Sequence, residues 1–256
     1  MTTAIHQRSV TAAGCLLALL VSWVLIPSSR GQLPTGQGSF NPALLQVFGN
    51  NKAFVGRTDL RMSDKNNKEI IRMPMLMSFL EGKVRVEVSL NDISSTSLAS
   101  EATQLFKQAG MDRVVSILRP DRKVSVIAFP TSKIYAEEPM SAADAAGYSA
   151  HYELKSSELG RESVEGHPCV KNKITVQNSA GVTVQGVVWN ATDLKNFPIK
   201  IQLPEGDSLV EMTFKEVKLQ KPEISTFEAP VGYRRYDSME KLVQERLSSI
   251  LGGSKK

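Results

Sequence analysis

Residues Ser163 to Arg235 read SVEGHPCVKNKITVQNSAGVTVQGVVWNATDLKNFPIKIQLPEGDSLVEMTFKEVKLQKPEISTFEAPVGYRR. Val170, Asn172, Ile174 and Val176 alternate with polar neighbours. After the turn Asn178-Ser179-Ala180-Gly181, so do Val182, Val184, Gly186 and Val188. Ile199, Ile201 and Leu203 alternate with Lys200 and Gln202, and Val210, Met212 and Phe214 with Glu211, Thr213 and Lys215. A period of two puts alternate side chains on opposite sides of an extended chain, so this block is a β-meander with one apolar and one wet face.

The same pattern recurs upstream. Phe54, Thr58, Leu60 and Met62 stand opposite Arg57, Asp59 and Arg61, and Ser63 to Lys68 makes a turn. Ile71, Met73, Met75, Met77 and Phe79 then share a face, and beyond Glu81-Gly82 so do Val84, Val86, Val88 and Leu90. Pro74 marks an edge or a bulge, because it cannot donate to a ladder. Further strands are expected at Val114 to Leu118, Val124 to Phe129, Ser132 to Ala136, and through Tyr148, Ala150, Tyr152 and Leu154.

Four helices are expected between these runs. Asn41 caps one that has Pro42 at its first position and Gly49 past its end, burying Leu44, Leu45, Val47 and Phe48. Ser97 caps a second, with Leu98, Ala102, Leu105, Phe106 and Ala109 on one face and Gly110 as its stop. Ser141 and Asp144 start a third, ending at Gly147. Asp237 with Glu240 starts the last, with Met239, Leu242, Val243, Leu247 and Ile250 as its stripe. The fold class is mainly β (α+β): a single curved antiparallel sheet, a half-barrel of about ten strands with short helices on its concave face.

The N-terminus fixes the compartment. Arg8 precedes an uncharged run from Ser9 to Ser29 whose apolar heart is Cys15 to Ile26, with Ser29 and Gly31 spaced as a cleavage site requires. Residues 1–31 therefore read as a signal peptide, and the chain as exported and periplasmic. Cys15 stands at the start of the apolar core rather than after it, so no lipid attachment is read there, and the mature chain is expected neither to span a membrane nor to carry a lipid anchor. Residues 32–51 are a flexible lead-in and the first helix, 52–251 one β domain, and 252–256 a solvated tail. Cys169 is then the sole mature cysteine, so the core rather than a disulfide must hold the fold. The formal charge of +5 includes Arg8 and Arg30 of the leader, and the remaining Lys and Arg are interspersed with Asp and Glu. No basic run with interleaved aromatics is present, which argues against nucleic acid as a partner.

Chemistry-bearing constellations are sparse. His167 and Cys169 lie two apart on a strand, but Pro168 separates them and no third ligand, His151 included, sits at metal spacing. Glu137 and Glu138 are adjacent on an extended segment and so face opposite ways, unlike an acid/base pair. Trp189 and Tyr233 suit core positions, and the formal acceptor Asn190-Ala191-Thr192 is treated as chance. No catalytic residue, metal site or cofactor is assigned, and no enzymatic activity is expected. The residues left as a candidate site are apolar: Leu60, Met62, Ile71, Met73, Met75, Met77, Phe79, Val84, Val86 and Val88. The row of alternating methionines makes a soft, conformationally adaptable wall.

The spacing of GHPCVKNKITV, VVWNATDLKNFPIKIQL, VEMTFKEVKL and STFEAPVGYRR resembles a family of exported bacterial proteins that is similar in turn to the LolA-like (outer-membrane lipoprotein carrier) superfamily. The resemblance implies a half-barrel sheet, lined with apolar residues and lidded by helices, that shelters lipoprotein acyl chains or senses them. No functional residue of that superfamily maps onto a numbered position here. The partner expected from this reading is an apolar ligand such as a lipid or acyl chain. The alternative is a filled core, with a protein partner or an envelope-stress sensing role served by the polar faces or an open sheet edge.

Overall fold

The computed structural model describes residues 41–96, 100–179, 181 and 183–252. The expected signal peptide, the lead-in as far as residue 40, the Ser97 cap and the 253–256 tail lie outside them. Three meanders build the sheet. The first is β1 (Ala53–Ser63), β2 (Glu69–Leu80) and β3 (Lys83–Ser89), with the short β4 (Ser94–Ser95) alongside β2. The second is β5 (Arg113–Arg119), β6 (Val124–Phe129) and β7 (Ile134–Pro139). The third runs through β8 (Tyr152–Val164), β9 (His167–Asn178), β10 (Thr183–Ala191), β11 (Phe197–Glu205) and β12 (Ser208–Lys218). A last strand, β13 (Arg234–Tyr236), lies parallel to β7. The order across the sheet is β13-β7-β6-β5-β3-β2-β1-β12-β11-β10-β9-β8, so among the described residues β13 and β8 are the edges and the curved sheet does not close.

Register puts the expected apolar rows together. Leu60 pairs with Met73 on one side and Met212 on the other, and Val86 pairs with Met77. Ile201 faces Met212 on its other neighbour. These residues define a first face; Asp59, Arg72, Leu76 and Thr213 lie on the second. At Gly186 strands β10 and β11 approach so closely that a Cβ would run into the Gln202 carbonyl oxygen, which accounts for a glycine in the apolar row.

Helices cover the first face. The 3₁₀ helix Pro42–Phe48 is capped by the Asn41 side chain, which accepts from the Ala43 amide at 3.0 Å, and Gly49 ends it at φ +55°. Its Phe48 ring sits among Phe54, Phe79, Phe197 and Phe214, with centroids 4.9 to 5.9 Å away. Each such ring contributes about 1.5–3 kcal/mol by leaving water, and each pair roughly 0.5–1.5 kcal/mol more. Helix α2 (Ala142–Ser149) adjoins this plug, with Gly147 accepting the Tyr152 hydroxyl bond at 3.1 Å. Over the second meander, α1 (Ser100–Gln108) and α3 (Met239–Gly252) bury Phe106, Met239 and Leu242 against Val114, Ile127, Phe129 and Ile134.

Four expectations are corrected. Thirteen strands form among the described residues where about ten were expected: β4 and β13 have two and three residues, too short to show alternation. The strand expected from Tyr148 starts at Tyr152, because Tyr148 and Ser149 close α2, and runs on to Val164. Almost all of β8 is exposed, so no buried face imposes a period on its sequence. Not every helical turn lies on one face either: Ile224–Phe227 crosses the second, where Phe227 seals Leu80, Val115, Ile117, Val126 and Ala128. Finally, α3 is capped by the Ser238 hydroxyl, which accepts from the Lys241 amide at 3.2 Å, while Asp237 pairs with the Lys241 ammonium.

Truncating Phe48 removes the centre of the phenylalanine cluster while the wet face stays intact. Phe48→Ala is expected to cost about 3–5 kcal/mol, read as a lowered urea midpoint. A loss below about 1 kcal/mol would show that the plug is not part of the cooperative core.

Candidate functional site

Eight of the ten expected lining residues are buried: Leu60, Ile71, Met73, Met75, Met77, Phe79, Val84 and Val86. Met62 and Val88 are half-buried. The ten share the first face of three neighbouring strands, as alternation required, and β12 adds Met212 to the wall. Burial is graded along β1, β3, β10 and β12, while β2 is buried on this face from Phe79 to Ile71. Towards Phe48 the side chains are enclosed, with Met77 at 0% exposure and Phe79 at 4%. At the opposite ends Met62, Val88, Val184 and Val210 form a half-buried rim. The chain's own plug fills the deep end of the space that alternation alone leaves open.

The second face carries charge. Asp59 is only 5% exposed, and Arg72 binds both of its carboxylate oxygens, Nε to Oδ1 at 2.9 Å and Nη2 to Oδ2 at 2.6 Å. Burial pushes the Asp59 carboxyl up, but hydrogen bonding to Arg72 and the charges of Arg72, Arg61 and Lys215 outweigh it and hold the group below its ordinary value. Arg119, similarly enclosed, binds Asp121 at 2.9 Å and Glu228 at 2.6 Å, which ties the segment after Phe227 onto β5. Further along, Trp189 lies between its pairing partners Lys171 and Lys200, whose ammonium groups stand 4.8 and 4.9 Å from the ring centroid. The Trp189 indole N–H donates to Glu162 at 2.6 Å. Sequence reasoning had Trp189 as core but missed this ladder, whose signal was a Lys, Trp and Lys on three successive strands.

The reactive-looking groups stay apart. His167 Nδ1 lies 2.8 Å from Asp193 Oδ2 near the surface, while the buried Cys169 thiol donates to the His167 carbonyl rather than to its ring. Burial raises the Cys169 pKa, and the charges of Asp193 and Glu162 add to the rise. His151 is exposed. Glu137 and Glu138 do point opposite ways: the first binds Arg235 at 3.1 Å, the second accepts the Met239 amide at 2.7 Å and so sits on the positive end of α3. Among the described residues no three His, Cys, Asp or Glu side chains gather as a metal site, and no helix is long and apolar enough to cross a membrane.

A comparison with protein-family profiles finds no match, and neither does a comparison with the curated proteins. Solved structures to which the chain is similar include the lipoprotein LppX of Mycobacterium tuberculosis, at 9% identity over 69% of this chain and 93% of that one, TM-score 0.38. A LolA superfamily protein from Nitrosomonas europaea is 11% identical over 74% of this chain and 96% of its own, TM-score 0.35. The MucA/MucB complex of Pseudomonas aeruginosa is 14% identical over 76% and 62%, TM-score 0.37.

Two measurements follow from the charges. Because folding lowers the Asp59 pKa, its stabilising contribution is complete above the unfolded value of about 3.9 and is lost as pH falls through the lower folded value. The urea midpoint of the wild type should therefore drop below pH 4, and Asp59→Asn should flatten part of that drop; parallel profiles would contradict this role. The Cys169 thiol should stay inert to a thiol reagent at pH 7.5 in the folded protein and react fully in urea. Rapid labelling of the native chain would reopen a nucleophile.

Proposed function

We propose that this chain is a non-enzymatic periplasmic binding protein for an apolar ligand, of the lipid or acyl-chain class, held on the first face of a LolA-like half-barrel. The observation that carries the reading is the graded burial of that face: a methionine wall closed by Phe48 at one end, rising to the half-buried Met62, Val88, Val184 and Val210 at the other. Methionine has three rotatable bonds and no branch, so such a wall reshapes around a flexible chain at little cost. Ligand enters here by displacing rim side chains rather than by filling a preformed void. The raised Cys169 pKa and its separation from the His167 ring support a role without covalent chemistry. The uncharged leader of residues 9–29 supports export.

A second reading rests on β8. Its thirteen residues form a free edge with Leu154 and Leu159 exposed, and such an edge can accept an extended segment of a protein partner.

The test is saturable uptake of a neutral alkyl fluorophore by the detergent-free protein. Met62→Lys, at a half-buried position that tolerates the charge by snorkelling, should weaken uptake about tenfold or more while the fold is retained. Unchanged uptake in Met62→Lys would remove the rim from the site. Absence of uptake in the wild type would overturn the apolar-ligand reading and favour the β8 edge.

A further inference from the structure

The sheet divides along β2. Its C-terminal half pairs with β3 as far as Met75 opposite Val88, and its N-terminal end pairs with β4 through Ile71 and Arg72. Among the described residues, Met73 and Pro74 have no ladder partner on that side. Proline suits this place because it has no N–H to leave unpaired. The chain leaves β3 through the turn Leu90–Asp92 and returns as β4, leaving a groove of about 480 Å³. A volume of this order holds a small organic ligand.

The groove is amphipathic. Pro74 and Leu76 of the second face line it, and so do Met75 and Val88 of the first, the ladder pair at which β2 and β3 part, with Met75 itself 5% exposed. Leu76 is 40% exposed on an otherwise charged surface. Four cations surround it: Arg57, Arg72, Arg113 and Lys215. Three acids accompany them, but two are already engaged. Asp59 is shared by Arg72, Arg61 at 3.4 Å and Lys215 at 3.9 Å. Glu87 is held by Arg85 at 2.9 Å, leaving Arg113 a looser contact at 3.7 Å with its side chain 58% exposed. Arg57 reaches Glu216 at 3.4 Å, both well exposed. Asp92 is exposed at the rim and subtracts from the field.

We infer that this groove receives an anionic amphiphile, its carboxylate or phosphate among Arg72, Arg113 and Lys215, and its apolar part along Leu76 and onto Met75 and Val88. The inference rests on the apolar-ligand reading and adds to it the ligand's charge and its point of entry. A guanidinium that is only loosely paired in the free protein gains a charge-assisted hydrogen bond on binding without abandoning a strong partner. Arg72, by contrast, must stay to neutralise buried Asp59, so it serves the ligand through its field rather than by moving.

The experiment measures displacement of the alkyl fluorophore from the exported, delipidated protein by dodecanoate, dodecyl phosphate, dodecanol and inorganic phosphate. Both anionic chains should bind about tenfold or more tightly than dodecanol, and the preference should shrink as salt rises. Arg113→Glu, at an exposed position, should abolish the preference and leave dodecanol binding unchanged. Leu76→Asp should weaken both anionic chains. Equal affinities for dodecanoate and dodecanol, unaltered in Arg113→Glu, would overturn the inference while leaving the apolar-ligand reading intact. Failure of every chain to bind would overturn that reading and the inference with it. Inorganic phosphate competing as well as dodecyl phosphate would show a free-anion site and overturn the amphiphile.

Discussion

The pairing of β1 with β12 holds the two halves of the chain in one sheet. The strands from β1 to β7 and the meander from β8 to β12 are each locally connected, and among the described residues only the ladder from Val55–Lys218 to Ser63–Leu209 joins them. That ladder sets Thr58 opposite Phe214 and Leu60 opposite Met212, and so brings phenylalanines from both halves around Phe48. The same ladder sets Asp59 opposite Thr213 and beside Lys215, where its carboxylate is buried with Arg72. Apolar packing on one face and an ion cluster on the other thus meet on one strand pair. A one-residue slip would exchange them, placing Asp59 among phenylalanines and Leu60 in water.

The curved sheet is asymmetric in how it is covered. Strands β5 and β6 are buried on both faces, by α1 and α3 on one and by Phe227 on the other. Strand β8 is buried on almost neither. Between these extremes β1, β2, β3 and β12 keep one dry face and one charged face, and both candidate surfaces centre on them: the methionine wall and, behind it, the groove, which β5 also borders. The proposed function thus falls where the sheet is one residue thick and has something different to offer on each side.

The sequence made the apolar rows legible because a half-buried strand must alternate; Leu60, Met73, Met75 and Met77 were readable on that ground alone. It did not show that Phe48 would occupy the space beside them, since a row looks the same whether ligand or the chain's own helix covers it. Asp59 read as one more wet residue opposite Leu60, because its burial depends on Arg72 and Lys215 arriving from two other strands. Phe227 lies in a segment without periodicity, and only the sheet's second face explains it. Pro74 was the legible sign of the break: a strand that tolerates proline needs an unpaired side, and β2, central in the sheet, has one only where β3 has ended.

The long-range β1–β12 ladder also governs the order in which the molecule can be assembled. A chain that emerges N-terminus first presents β1, β2 and β3 well before the residues that pair with Ala53–Ser63 have emerged. Until Ser208–Lys218 arrives, β1 is an unprotected edge rich in β-forming residues, open to any other extended chain. Loop closure over such a separation is slow, so the nascent protein spends its most adhesive interval before β12 is in place. The length of that interval depends on how quickly the last long strand follows the first.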